Sequence, residues 1–343
     1  MALQAATGQR KLDHAFARVL WKCSDCGAAQ AVCRHRIDPA PSLRAARVRA
    51  VEEGVAPREV GWLRERFARH GSPYSVDLLG RLCAAGAGPP AIPPKDVALF
   101  PACATLAHDP DQLRATMWLL ARAGRDDVRT ALPTPPCCGY PLLAAGLEAE
   151  FVAHAGRVVE SLRGFQTVVT DGPSCAHTLA YEYAAAGVTP GFQTLPLVDL
   201  LAAHTGTWQQ LAARATASGT GSTAPAPTLA YHDPCFLGRR LRRWDEPRAA
   251  LTAATGATPH ELPLSRELAP CSGGGGVYPL THPEPARACA ANVLEAFRFT
   301  RADALVTGCP GALRRLRDAE PDAPVLGLPQ ALARACGREE TGG

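Results

Sequence analysis

The sequence predicts an α/β protein made of two pseudo-symmetric α/β repeats with short parallel sheets, preceded by a small helical domain. Three observations carry this reading. Short apolar runs of β type alternate with helix-patterned stretches, the order of these elements occurs twice, and two Gly/Pro/Ala-rich stretches cut the 343 residues into three parts. Alternation of this kind implies parallel strands joined by crossover helices. The soft stretches, Ala84–Pro94 and Ser218–Pro227, read as linkers or loops. The expected divisions are residues 1–92, 93–206 and 226–337.

Each repeat opens with a strand that ends in a cysteine, VALFPAC (97–103) and TLAYHDPC (228–235). Helical stretches follow at Asp111–Ala123 and Asp245–Thr255. A loop then carries Cys137-Cys138-Gly139 in one copy and Cys271-Ser272-Gly273 in the other. Next come helices at Glu148–Leu162 and Pro285–Phe299 and buried-type strands in TVVTDGPSC (167–175) and ALVTGCPGA (304–312). Both copies close on a Leu/Pro strand and helix, TLPLVDLLAAH (194–204) and VLGLPQALARAC (325–336). The part before them is Arg-rich and helix-patterned, with Cys23, Cys26 and Cys33 near its start.

Composition excludes several classes. Hydrophobic residues make up 47%, which a disordered or fibrous chain would not carry. Net charge is only +4, so no polyanion is implied as partner, and the 6% aromatic content is too low for base-stacking platforms; no nucleic acid is expected. The run Arg239-Arg240-Leu241-Arg242-Arg243 reads as a solvated helix face. No run of eighteen apolar residues exists, so no transmembrane segment is expected, and residues 1–20 lack a signal-peptide pattern. A cytoplasmic location follows as the expectation.

Cysteine is the informative residue. Thirteen is an odd number, which argues against a fully paired disulfide framework and leaves metal binding, catalysis or inert burial. Aligning the repeats puts the cysteines at equivalent places. Cys103 matches Cys235, with 33 residues to Cys137 in one copy and 35 to Cys271 in the other, and Cys138 matches Ser272. The late strand ends in G-P-S-C (Gly172–Cys175) in the first copy and in C-P-G-A (Cys309–Ala312) in the second, two halves of one C-P-x-C. Thiolates gathered from strand ends and loops suit iron–sulfur clusters, because soft iron and sulfide favour thiolate ligands. Glycines beside them (Gly139; Gly273 to Gly276) allow close backbone approach and N–H bonds to cluster sulfurs.

On FPAC, CCGYPLLAAG, TDGPSC, YHDPCFLGR, CSGGGG and VTGCPGALRRL, the chain resembles the CCG-type cysteine-rich family over about residues 97–336. That family includes heterodisulfide reductase catalytic subunits and the iron–sulfur subunits of glycolate oxidase and lactate-utilisation complexes. The resemblance implies clusters on C…CC-G…C-x-x-C in each repeat, and electron transfer or thiol/disulfide reduction. Here the first repeat keeps Cys103, Cys137, Cys138 and Cys175, enough for a [4Fe–4S] cluster. The second keeps Cys235, Cys271 and Cys309, and needs another group as fourth ligand. An iron open to outside ligands beside flexible glycines is one reading of it; an empty, decayed site is the other.

CSDCGAAQAVCRH (23–35) resembles a damaged ferredoxin motif with Ala29 in place of its third cysteine. Zinc on Cys23, Cys26, Cys33 and His35 is the alternative there. Cys83, Cys289 and Cys336 fall outside the repeat pattern and are expected to be structural and buried. His232 and Asp233 either orient Cys235 or cap a strand end. No G-x-G-x-x-G follows a strand, so electrons are expected from a partner, a flavoprotein or other redox subunit. The leading function is therefore an iron–sulfur electron-transfer subunit of a cytoplasmic oxidoreductase. The rival is a cluster-less or zinc-stabilised scaffold or binding protein on the same fold.

Overall fold

The computed structural model describes residues 4, 7–9, 11–86, 96–130, 136–217 and 227–339. Most of both predicted linkers, 87–95 and 218–226, lies outside the described residues. Within them the duplication is plain. The first sheet contains β1 (Val97–Phe100), β2 (Val128–Thr130), β3 (Thr167–Thr170) and β4 (Gln193–Pro196) in the order β2-β1-β3-β4. The second contains β5 (Leu229–His232), β6 (His260–Glu261), β7 (Ala304–Thr307) and β8 (Val325–Gly327) in the order β6-β5-β7-β8. Every pairing is parallel, with Leu99 opposite Val169 in one sheet and Tyr231 opposite Val306 in the other.

The strands are short because each has only one job. β5 and β7 are buried at all four positions, the pattern of a parallel strand covered on both faces. Each then hands over to a helix. The helices Pro110–Arg122, Pro173–His177, Pro283–Thr300 and Pro310–Ala319 all start on proline, whose fixed φ and missing N–H suit a first helical turn. The edge strands β2 and β6, three and two residues long, carry too little alternation for the sequence to announce them.

The repeats exchange helices across their interface. Leu197–Ala203, which closes the first repeat, packs on Asp245–Thr255 of the second. Leu328–Ala335, which closes the second, packs on Pro110–Arg122 of the first. One apolar core runs through Leu99, Phe151, Leu201, Leu251 and Leu332, and a smaller one around Leu294, Phe297 and Leu305 lies under the second sheet.

The N-terminal part is helical, with His14–Leu20, Ala28–Val32, Ala40–Glu52, Arg58–His70 and Leu78–Ala84. Trp21, Ala46, Leu63 and Leu82 join the main core, so this part is packed onto the repeats. Its anchor is ionic. Arg47 is fully buried and donates to the carbonyls of Leu20, Cys23 and Ala144 at 2.7–3.1 Å. It also faces the buried Asp25 carboxylate at 3.5 Å. Arg44 completes the group, 2.9 Å from Asp25 and 2.7 Å from Glu182 of the first repeat.

The Arg239–Arg243 run corrects the sequence reading. It lies in and after a π-helical turn, Phe236–Arg240, rather than on a solvated α-helical face. Arg239 donates to the carbonyls of Cys26, Glu267 and Ala269, Arg240 pairs with Asp38 and donates to the Asp25 carbonyl, and Arg243 pairs with Asp199. These cations face inward, onto backbone carbonyls and carboxylates of other segments.

Removing Arg47 would take one of two cations from buried Asp25, leaving Arg44, and would orphan the carbonyls of Leu20, Cys23 and Ala144. Arg47→Ala should lower the free energy of urea-induced unfolding by about 3–5 kcal/mol. Arg69→Ala, which breaks an exposed pair with Glu65, should change it by less than ~1 kcal/mol. Similar losses in the two variants would remove Arg47 from its anchoring role.

Candidate metal centre

Parallel sheets collect chemistry at the carboxyl ends of their strands, and the cysteines follow that rule. Cys103 lies just past β1, Cys175 past β3, Cys235 past β5 and Cys309 past β7. The two strand-end edges face a common cavity of about 370 Å³, within the roughly 300–1,000 Å³ range of small-molecule and cofactor sites. Cys103, Cys137, Cys138, Cys175, Cys235 and Cys309 all line it.

The first set is gathered tightly. Cys103, Cys137, Cys138 and Cys175 are all buried, and Cys103 Sγ donates to Cys137 Sγ at 3.5 Å. Hydrogen bonds from the Cys137 and Cys175 thiols hold Cys138 below the ordinary thiol range, while those neighbours keep their protons. The loop is fixed through its carbonyls. His154 Nε2 donates to Cys137 O at 2.7 Å, and Tyr183 donates to Cys138 O at 2.9 Å. Gly139 adopts φ +80° and directs its N–H to Cys137 Sγ at 3.5 Å, and a Cβ there would lie 2.8 Å from the His154 ring. Beneath the set, buried Asp171 accepts from Ala102 N at 2.7 Å, from Thr105 and from Gln112, pinning β1 to β3.

The second set includes a residue from outside its repeat. Cys271 shares hydrogen bonds with Cys235, with Cys26 of the N-terminal part and with Ser24, whose Oγ is 3.6 Å from Cys271 Sγ. A neighbouring thiol, Cys235, is the chief reason that the Cys271 pKa is pushed up to about 12. Cys309 is within electrostatic reach of Cys271, and the amides of Gly311 and Ala312 point at its sulfur. His232 Nε2 donates to the carbonyl of Pro270 at 3.1 Å, fixing the residue before Cys271. Asp233 accepts two 2.8 Å bonds from Arg248, tying the end of β5 to the next helix.

A scan of family models matches the cysteine-rich CCG domain twice, at residues 97–180 and 229–317, together about half of the chain. The chain belongs to the CCG cysteine-rich domain family. Among relatives, one component of the dihydromethanophenazine:CoB–CoM heterodisulfide reductase of Methanosarcina barkeri is 25% identical over 86% of this chain and 72% of its own length. A protein called a probable membrane-anchored ferredoxin, from Chromohalobacter salexigens, is 28% identical over 90% of this chain. One component of the fumarate reductase (CoM/CoB) of Methanothermobacter marburgensis is 25% identical over 87% of this chain. The chain spans 46% and 57% of the length of these last two.

The donor sets of both CCG repeats fit iron–sulfur ligation: soft thiols, buried in the first and half-buried in the second, all but Cys271 lining the cavity, with backbone N–H groups already directed at several of the sulfurs. The N-terminal cysteines divide. Cys26 joins the second CCG repeat, whereas the thiol of Cys23 contacts Asp25 at 3.6 Å. Cys33 takes hydrogen bonds from the amides of Ile37, His35 and Arg36, which lower its pKa. Among the described residues no group of three or more His, Cys, Asp or Glu side chains is placed to hold a single metal ion, so the zinc reading of Cys23, Cys26, Cys33 and His35 gains nothing. Cys336 is buried, as expected of a structural thiol. Cys83 is exposed, against expectation, because the short helix Leu78–Ala84 turns Leu78 and Leu82 inward and leaves position 83 outside. Cys289 is half-buried, within electrostatic reach of Cys26.

Sequence reasoning missed Cys26 as a member of the second set. A signal was present. Relative to Cys138-Gly139-Tyr140-Pro141, the second repeat inserts Gly274–Val277 before Tyr278-Pro279. This insertion is where the N-terminal loop sits. A Cβ on Gly275 would lie 2.2 Å from the Ser24 carbonyl, so glycine at this position serves a tight seam between the run and the N-terminal loop. Gly275→Ala should therefore lower stability by about 1–3 kcal/mol. Gly156→Ala, in an exposed helix position with nothing within 4 Å, should raise it by about 0.5–1 kcal/mol. Urea unfolding of the two variants checks this, and a Gly275→Ala protein as stable as wild type would contradict the seam.

Proposed function

We propose that this chain is an iron–sulfur electron-transfer subunit of a reductase complex, holding a [4Fe–4S] cluster on Cys103, Cys137, Cys138 and Cys175. The observation that carries the reading is the convergence of four buried thiols, drawn from two strand ends and one loop, on the wall of the inter-repeat cavity. When bound there, a cluster supplies one-electron transfer at a potential set by burial and by hydrogen bonds to its sulfurs. The residues of this chain do the rest. Gly139 N–H and the amide of Tyr140 face the sulfurs of Cys137 and Cys138, which favours the thiolate forms that ligation requires. His154, Tyr183 and Asp171 fix the loop and strand ends, limiting how far the ligand set shifts with a change of charge.

Components of reductases stand among the relatives, which supports a separate redox protein as the electron donor, and a flavoprotein is the donor proposed here. Arg66, Arg314 and Arg315 line the cavity that would face it, which favours an acidic docking surface. A cytoplasmic setting is part of the proposal. The described cysteines are all unpaired, as a reducing compartment keeps them. No described helix is long and apolar enough to cross a membrane.

Anaerobic purification tests the reading directly. The protein should be brown, with about four iron and four sulfide per occupied site. Cys138→Ser should lose the iron of the first repeat, and exposed Cys83→Ser should lose none. Colourless protein without iron, or equal iron in both variants, would refute it.

A further inference from the structure

The second repeat carries one cysteine too few for a fully thiolate-ligated cluster within itself, with Ser272 where the first repeat has Cys138. We propose that the missing ligand comes from the N-terminal part: Cys26, with Cys235, Cys271 and Cys309, forms a composite four-thiolate site for a second iron–sulfur cluster. This rests on the iron–sulfur reading above and extends it to residues outside the CCG repeats.

The placement of Cys26 is fixed from three sides. Its thiol and that of Cys271 are hydrogen-bonded partners, and Ser24, two residues earlier, reaches the same sulfur at 3.6 Å. Its carbonyl receives Arg239 Nε at 2.7 Å, from the π-helical turn that follows Cys235. Its loop is pressed onto the inserted glycines at Gly275 and locked behind by the buried Asp25–Arg47 pair. Asp25 takes a positive φ of 56° and Gly27 one of 73°, so the chain reverses sharply on both sides of Cys26 and presents it inward. A non-glycine residue at positive φ is uncommon and is maintained where the surroundings over-determine it.

The other N-terminal cysteines do not compete for the place. Cys23 is turned onto Asp25, and Cys33 is bonded to the amides of its own turn. Cys26 is the one N-terminal thiol bonded to a cysteine of a CCG repeat among the described residues. An intact ferredoxin motif would use its first cysteines for a cluster of its own. With Ala29 in the motif, Cys26 is left over and is spent on the neighbouring site. The second repeat is then saturated and closed by the N-terminal loop, neither decayed nor open to outside ligands.

The test uses the full chain, purified anaerobically, with iron and sulfide assays and EPR of the reduced protein. Wild type should hold two clusters. Cys26→Ser should lose about half of the iron and keep the signal that Cys138→Ser loses, while Cys33→Ser should match wild type. Full iron and an unchanged spectrum in Cys26→Ser, with loss in Cys138→Ser, would overturn the composite site and leave the electron-transfer reading standing. Iron-free wild type would overturn both. Wild-type protein gives a second readout should the Cys26 variant not fold. With four thiolates in place, added 2-mercaptoethanol or cyanide should leave the EPR spectrum unmoved, and a shift in one of the two signals would show an open iron position and refute the proposal.

Discussion

The buried ion pair between Asp25 and Arg47 is the constraint on which the arrangement of the three parts depends. A charge with no exposure must be matched closely, because an unpaired one would cost several kcal/mol. Arg47 meets that demand by binding three carbonyls as well as the carboxylate, and those carbonyls belong to two different parts of the chain. The loop around Asp25 consequently has one allowed position. It lies against the helix Tyr140–Ala145 on one side and against the second repeat on the other. The same pair thus sets fold and site together.

The rest follows from duplication of a parallel sheet. Parallel strands put all their carboxyl ends on one edge, and two such sheets facing each other enclose a cavity whose walls are strand-end loops. Four-residue strands suffice, because their role is to deliver a cysteine to that edge at a fixed height. The halves then diverged in how the loop before Tyr-Pro is supported. In the first repeat it is short, and His154 and Tyr183 hold it from within. In the second it is longer and glycine-rich, and a segment from elsewhere in the chain fills the place that the extra length opens.

Much of this was legible in the sequence, and the limits have physical causes. The central strands announce themselves because VALF, TVVT, LAYH and ALVT are apolar runs bounded by turn residues, and their helices carry clear periodicity. β2 and β6 are too short for any pattern. The family motif singled out the cysteines of the repeats by their spacing, which a duplicated sequence displays openly. Cys26 and the Arg239–Arg240 pair could not be placed in this way. Their roles arise from contacts more than 200 residues apart in sequence, and neither local propensity nor spacing encodes such contacts. The Gly273–Gly276 run was visible but ambiguous, since glycine serves a flexible loop and a crowded seam equally well.

On the two proposals together, each sheet edge presents one complete thiolate set, the second finished by the N-terminal loop. An iron-edge anomalous difference map from crystals grown without oxygen tests it most directly. Two iron peaks are expected, one ringed by Cys103, Cys137, Cys138 and Cys175, the other touching Cys26, Cys235, Cys271 and Cys309. A second peak whose nearest ligand in place of Cys26 is Ser272, solvent or another cysteine, or the absence of iron beside the first set, would contradict it.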